Sequence, residues 1–351
     1  MEEALHRLWM CCRMIQKLCH LIASREHGGL EKHVADLSSW QARNTAAQIT
    51  VIGHPRYQST LNENVHFIPL NTDRSRHHPN LVWRLANQIR QGSFQITHGH
   101  GSKSAQLLAA VKPYTDALQV ITRHNVRHPR DKLASTFDAR IAISKSTVAN
   151  SKLDWHIIPN GVPLPQPVAN PHALAHTTGN RPTLLAASRL IKARGIDILI
   201  EAMTLVPDAQ LLVVGDGPEK SALQQQAQAL HLRDRVTFFS ADNAITRFLQ
   251  ASDLVVIPAR TEGTPYTLIE ALLHRRPVIA SDTGNAGEYL PEGYLLEELG
   301  VSAIAEKIQM ALAAPNKVQR DFTAVFDRAA EELTLDSMAQ ATWRVYRQLI
   351  A

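Results

Sequence analysis

Cysteine is scarce in this sequence, and its position narrows the reading further. Only Cys11, Cys12 and Cys19 occur among the 351 residues, all near the N-terminus. They cannot staple a chain of this length, and no Cys-x-x-Cys pair or zinc spacing is present. A reduced, cytosolic setting is the expectation. Long apolar runs are missing as well. Runs such as residues 254–257 are strand-sized, against the roughly 20 residues of a membrane-spanning helix. Arg7, Arg13 and Lys17 interrupt the apolar residues of the opening stretch, so no signal-peptide core is formed. Any work at a membrane is then expected from its surface.

Aromatic residues are also few, at 5%, whereas short Leu, Ile, Val and Ala runs abound within a chain that is 44% hydrophobic and 20% charged. That mix suits parallel sheets covered by helices, and the length allows two domains with separate cores. Net charge is +5 with 17 further histidines, which favours anionic partners. Charge alone does not choose among nucleotide, nucleic acid and anionic lipid.

Regular patterning begins at Leu18. Residues 18–23 read as a buried strand, and Gly28-Gly29 opens a helix with Leu30, Val34, Leu37 and Trp40 on one face. Strands are expected at 48–52, 65–68, 94–97, 118–122 and 140–143, with helices at 80–91 and 102–111. Five prolines between Pro163 and Pro182 then mark a linker. Alternation resumes with strands at 183–187, 210–214, 235–239, 254–258 and 277–280. Helices are expected between them at 195–203, 219–230, 244–251 and 265–274, and a final helix at 337–351. Strand–helix alternation implies parallel sheets with right-handed crossovers. The expected architecture is therefore α/β, two doubly wound Rossmann-like domains facing across a cleft, with ligands at the strands' carboxyl ends.

The strongest chemical signal is Glu262-Gly263-Thr264-Pro265-Tyr266-Thr267-Leu268-Ile269-Glu270, between an expected strand and helix. Proline suits a helix's first turn, and the N–H groups and positive dipole end there form a phosphate cradle. Carboxylates repel phosphate, so Glu262 and Glu270 are expected to face sugar and ribose hydroxyls. Spacing alone would also fit a turn glutamate and a solvated helix glutamate. Upstream, Ser188-Arg189-Leu190-Ile191-Lys192-Ala193-Arg194-Gly195 carries cations on a strand-to-helix loop, suited to neutralising a diphosphate. Alone, it would be an exposed basic loop.

These motifs resemble family 4 of the retaining glycosyltransferases, with the GT-B fold, from about Met14 onward. Residues 261–281 resemble the family's two-glutamate signature, which implies that Glu262 contacts the donor sugar and Glu270 the ribose. The resemblance further implies that the backbone after Gly263, through Thr264 and Pro265, meets sugar hydroxyls, and that of Thr267 and Leu268 the phosphates. The loop from Ser188 to Gly195 is similar to the family's Arg-then-Lys phosphate loop. Arg194 stands where the family has lysine; the charge is kept, and Lys192 can share the contact. Gly28 and Gly29 resemble the glycine loop that approaches the donor diphosphate, although a tight turn explains them equally well. His124, in Ile121-Thr122-Arg123-His124-Asn125, resembles the histidine that touches the donor sugar near the reacting carbon; a structural loop histidine is the plainer alternative. His98-Gly99-His100-Gly101 looks like a family His-x-His-Gly stretch. Two histidines two apart suggest metal, but no carboxylate or cysteine lies at ligand spacing, so no metal is expected. Ile158-Pro159-Asn160-Gly161-Val162 is similar to the family's last turn before the linker. Gly215 belongs to Val214-Gly215-Asp216-Gly217-Pro218, which in the family lies near the nucleotide base.

One departure is His274-Arg275-Arg276, where the family has a small residue; solvated residues at a helix end are the expectation. The resemblance implies a retaining, metal-independent transferase without cofactor. Its partners would be a nucleotide-diphosphate sugar, a glycan or glycolipid acceptor and an anionic membrane surface, not nucleic acid. Bacterial lipopolysaccharide or surface polysaccharide synthesis in the cytoplasm, peripheral on the inner membrane face, is the expected setting. Two alternatives stay open: a nucleotide-sugar epimerase or hydrolase of the same fold, and a non-catalytic glycan-binding partner subunit. A glycan phosphorylase would need a pyridoxal-binding lysine, which nothing marks. Residues 1–13 read as an extension outside the core, 14–163 as an acceptor-side domain, 164–181 as linker and 182–334 as the nucleotide-sugar domain. Residues 335–351 are expected to cross back onto the first domain through Met338, Tyr346 and Leu349.

Overall fold

The computed structural model describes residues 14–24, 28–125, 130–165, 181–240, 245–261 and 265–351. The N-terminal extension and most of the proline-rich linker therefore lie outside the described residues. The chain divides into two compact units, one ending at Gly161 and resuming at Leu335, the other running from Val162 to Thr334.

The first unit is built on seven parallel strands: β1 Lys17–Ile22, β2 Gln48–Gly53, β3 His66–Pro69, β4 Ile96–His100, β5 Leu118–Arg123, β6 Ala139–Ala142 and β7 His156–Ile157. Their spatial order is β3-β2-β1-β4-β5-β6-β7, which reverses direction between β1 and β4. Side chains alternate across a strand, so β1 feeds two cores. Leu18 and Ile22 pack with Val34 and Leu37 of the helix Gly29–Asn44, and with Met338 and Tyr346 of the helix Leu335–Ile350. Cys19 and Leu21 pack on the other side with Leu81 and Leu85 of Pro79–Gly92, and Leu107 and Leu108 of Gly101–Val111. Cys19 is free and buried, and burial pushes its thiol pKa up, which leaves it inert.

The last helix is thus part of the first unit. Tyr346 is fully buried, Leu349 partly so, and Trp40 Nε1 donates to the Asp336 carboxylate. Strand β4 extends three residues beyond the expected 94–97, so His98 and His100 lie within the sheet. On this strand the buried face is polar, which removes the apolar alternation that marks a strand end.

The second unit carries six parallel strands: β8 Thr183–Ala187, β9 Gln210–Val214, β10 Val236–Phe239, β11 Leu254–Ile257, β12 Val278–Ser281 and β13 Leu295–Leu296. Their order, β10-β9-β8-β11-β12-β13, repeats the reversal of the first sheet, here between β8 and β11. Central strands β8, β9 and β11 are covered on both faces and are apolar almost throughout, as parallel sheets require. Val162 and Thr334 form an isolated parallel bridge, so the two ends of this unit meet. The helices Val301–Ala313 and Pro315–Glu332 complete it.

His274-Arg275-Arg276 differs from the expected solvated end. His274 Nδ1 donates to the Glu270 carbonyl (2.8 Å), and Arg275 adopts a left-handed φ of 54°. Arg275 pairs with Asp327 (2.8 Å) and lies over the Phe326 ring; Arg276 donates to the Gln250 carbonyl (2.9 Å). The three residues tie the end of the helix Tyr266–Leu273 to its neighbours. Among the described residues no helix is long and apolar enough to cross a membrane.

Candidate functional site

In the second unit the sheet reverses between β8 and β11, and the loops leaving these strands are bound to each other. Arg260 N–H donates to the Ala193 carbonyl (2.8 Å), and its guanidinium grips the Asp197 carboxylate through two 2.8 Å bonds. Burial opposes the charge on Asp197, yet Arg260 outweighs it and holds the carboxyl below its usual range. Arg194 donates to the Thr261 carbonyl (3.3 Å), which spans the same pair of loops. Gly195 sits in the left-handed region at φ 69°, and a Cβ there would lie 1.8 Å from the Pro258 carbonyl oxygen. Gly215 is similarly constrained, since its Cβ would stand 1.9 Å from the Ser188 oxygen. Only backbone fits at either crossing.

The helix Tyr266–Leu273 enters the same corner. Thr267 Oγ1 donates to the carbonyl of Ala187, the last residue of β8 (2.7 Å). The helix start is thereby fastened to the strand whose next residues are Ser188 and Arg189. Pro265 caps the helix without a side-chain cap bond. The Leu268 amide donates to the Pro265 carbonyl (3.1 Å) and its side chain is fully buried. Glu270 lies half-buried one turn in, Arg189 is exposed and Arg194 half-buried. A helix N-terminus beside two guanidinium-bearing positions can hold an anion with several phosphate oxygens. Glu262, Gly263 and Thr264 lie outside the described residues, between Thr261 and Pro265.

In the first unit the equivalent reversal, between β1 and β4, is lined with histidine. His20 pairs in register with His98, and His100 with Thr122 of β5. His20, His98 and His100 are fully buried, as is His33 from the helix Gly29–Asn44. His124, just past β5, closes the group with its ring edge-on to His33 at 4.8 Å between centroids. Burial pushes His20 and His33 down to about 4, against the opposing hydrogen bonds of Gln41 and Asn160. Burial likewise takes His98, His100 and His124 well below the usual histidine range, reinforced by neighbouring histidines. All five are neutral imidazoles at neutral pH. Gly28 and Gly29 are exposed at the start of the helix that carries His33.

Two family models match the chain, Glycosyltransferase Family 4 over residues 27–166 and Glycosyl transferases group 1 over 175–324. The chain belongs to the family 4, group 1 glycosyltransferases. A lipopolysaccharide core biosynthesis glycosyltransferase of Rhizobium meliloti is 26% identical over 208 residues, 57% of this chain and 60% of the relative. A glycosyltransferase from Rickettsia africae has the same fold at a TM-score of 0.85 and 17% identity, covering 96% of this chain and 99% of that one. HepE of Anabaena, solved in complex with UDP and glucose, matches at a TM-score of 0.81 and 19% identity, over 95% and 100% of the two chains. The matched stretch spans about half the length of the curated relatives it resembles, 45% and 46% for two of them.

Within this family 4 glycosyltransferase, the structure joins Arg194, Gly215, Pro265 and Thr267 to one corner of the second unit. His124, Gly28 and Gly29 belong to the first unit. His20, His33, Gln41 and Asn160 share a polar cluster that the sequence pattern alone does not group. The signal available was a histidine within an otherwise apolar strand, Lys-Leu-Cys-His-Leu-Ile, where burial of an imidazole demands partners.

Proposed function

We propose that this chain transfers a sugar, with retention, from a nucleoside-diphosphate sugar to a glycan or glycolipid acceptor in bacterial lipopolysaccharide or surface polysaccharide synthesis. The observation that carries the reading is the corner of the second unit. There, Thr267 and Gly195 lock a helix N-terminus and the Arg189–Arg194 loop onto the ends of β8 and β11. Such a corner recognises a diphosphate. In this reading Arg189 and Arg194 take the leaving group's charge, and the amide of Thr267 contributes to the same cradle. The Leu268 amide already has its Pro265 partner and adds little beyond the helix dipole. Glu262 holds the donor sugar with the backbone of Gly263, Thr264 and Pro265; Glu270 holds the ribose, and Gly215 lies toward the base. Gly28, Gly29 and His124 serve the sugar and acceptor.

The bond between anomeric carbon and phosphate oxygen breaks first, and its electron pair leaves with the diphosphate. The acceptor hydroxyl adds on the same face, and its proton passes to the departing phosphate oxygen. Stabilising the leaving charge is the dominant catalytic term, typically worth a few kcal/mol per preorganised donor. Cationic side chains do here what a metal ion does elsewhere, so turnover is expected to survive excess EDTA. Loss with EDTA and rescue by manganese or magnesium would contradict that part. The basic balance of the chain supports work at an anionic membrane surface from the cytoplasmic side. A thermal-shift screen of nucleoside-diphosphate sugars tests the binding claim. One nucleotide class should raise the melting temperature of the wild type but not of Arg189→Ala, and no response to any donor would contradict it.

A further inference from the structure

The loop that leaves β3, residues 70–78, carries hydrogen-bond donors that meet no acceptor. Arg74 donates to His78 Nε2 (3.3 Å), and because a guanidinium only donates, the His78 proton sits on Nδ1. That N–H is buried and has no partner. Thr72 is fully buried, and its hydroxyl is unpartnered as well. Arg76 donates to His77 Nε2 (3.1 Å). Both arginines are exposed, and among the described residues neither meets a carboxylate. The loop's one carboxylate, Asp73, is bound by Arg56 and lies 3.4 Å from His54 Nε2. Lys103 joins the group from the next crossover by donating to the Thr72 carbonyl. Beside it in sequence, Ser104 is fully buried with an unpartnered hydroxyl.

Buried polar groups are normally paired, so these three ask for a partner from outside the chain. A hydroxyl can donate or accept, but the imidazole N–H, the guanidiniums and the ammonium only donate. An anion is the one partner that serves them all. The helices Pro79–Gly92 and Gly101–Val111 both begin at this end of the sheet. Neither start has a side-chain cap bond, so their positive dipole ends add to the cationic field. We propose that Thr72, Arg74, Arg76, His78, Lys103 and Ser104 hold a phosphate or carboxylate of the acceptor, which makes that acceptor an anionic glycan or glycolipid. Loops at the carboxyl ends of parallel strands are where such sheets take their ligands. The proposal rests on the sugar-transfer reading and names the substrate class which that reading leaves open. The arginines supply the charge and can grip either anion through paired bonds, while the hydroxyls and His78 give the contact its direction.

The test uses the full chain with excess UDP and GDP, which fill the diphosphate corner of the second unit. Saturation-transfer NMR then compares glucose, glucose 6-phosphate and glucuronate. At least one anionic sugar should bind saturably and glucose should not; the two anions separate phosphate from carboxylate. Arg74→Gln/Arg76→Gln and Thr72→Val should each weaken that binding about tenfold or more, as loss of a hydrogen bond to a charged group does. Arg84→Gln removes the same charge from an exposed position on the helix Pro79–Gly92 and should bind as wild type. Circular dichroism verifies that each variant is folded. Every variant should also keep the melting response to nucleoside-diphosphate sugars; anionic-sugar binding without any donor response would fault the transfer reading and not the anion site. No binding of either anionic sugar by the wild type, equal binding of glucose, or unchanged binding in the folded variants would each overturn the proposal. Binding to phosphatidylglycerol vesicles with no response to the anionic sugars would assign the loop to a membrane surface and overturn it too.

Discussion

Gly195 shows how a single residue can be read for cause. Its left-handed φ and the 1.8 Å gap between a would-be Cβ and the Pro258 oxygen leave no room for alanine. Gly195→Ala should destabilise the second unit by about 2–5 kcal/mol, the sum of left-handed strain and overpacking. Equilibrium urea unfolding measures this, and a loss below about 0.5 kcal/mol would contradict the packing argument. Arg189 is the opposite case, exposed and outside the core. Glu262→Gln and Arg189→Ala should melt within about 2 °C of wild type and lose two or more orders of magnitude in kcat/KM, as loss of a charge-stabilising donor does. Either variant retaining full activity on an identified donor would remove that residue from the site. At this scale the sequence marked Ser188 to Gly195 as a strand-to-helix connection, and the structure has it between β8 and the helix Ile196–Ala202. It was silent on His33 and Asn160, because 127 positions separate two side chains that bond each other.

Among the elements, the final helix has the most specific attachment. Leu335–Ile350 brings Tyr346 against β4, where its phenol reaches His98 Nδ1, and Met338 against Gly161. Tyr346→Phe keeps the ring and removes the hydroxyl, leaving a buried imidazole nitrogen unpartnered at a cost of about 1–3 kcal/mol. For a unit of this size that is a fall of roughly 2–12 °C in its melting transition, at about 2–4 °C per kcal/mol. Scanning calorimetry checks it; an unchanged transition would mean that the bond contributes nothing. The amphipathic spacing of Met338 and Tyr346 made the helix legible, and the apolar runs of β8, β9 and β11 made those strands legible. The apolar pattern stops short of the end of β4 because His98 and His100 interrupt it. The helices Val301–Ala313 and Pro315–Glu332 lie beyond the last motif and were not among the elements expected from the sequence.

Across the whole molecule, two units repeat one sheet order, and each reverses beside its own cluster of polar residues. Strand–helix alternation around a proline-rich break was enough to expect two doubly wound domains, since parallel strands need crossovers and crossovers need helices. Neither alternation nor composition carries information on the acceptor, because acceptor recognition rests on loops whose sequences follow no structural period. The central claim is transfer with retention, and slow donor hydrolysis reads it without knowing the acceptor. Water then takes the acceptor's place, and proton NMR follows the released sugar before it mutarotates. The first sugar formed should carry the donor's anomeric configuration, with nucleoside diphosphate released in equal amount. An inverted first product, or no release from any nucleoside-diphosphate sugar, would contradict it.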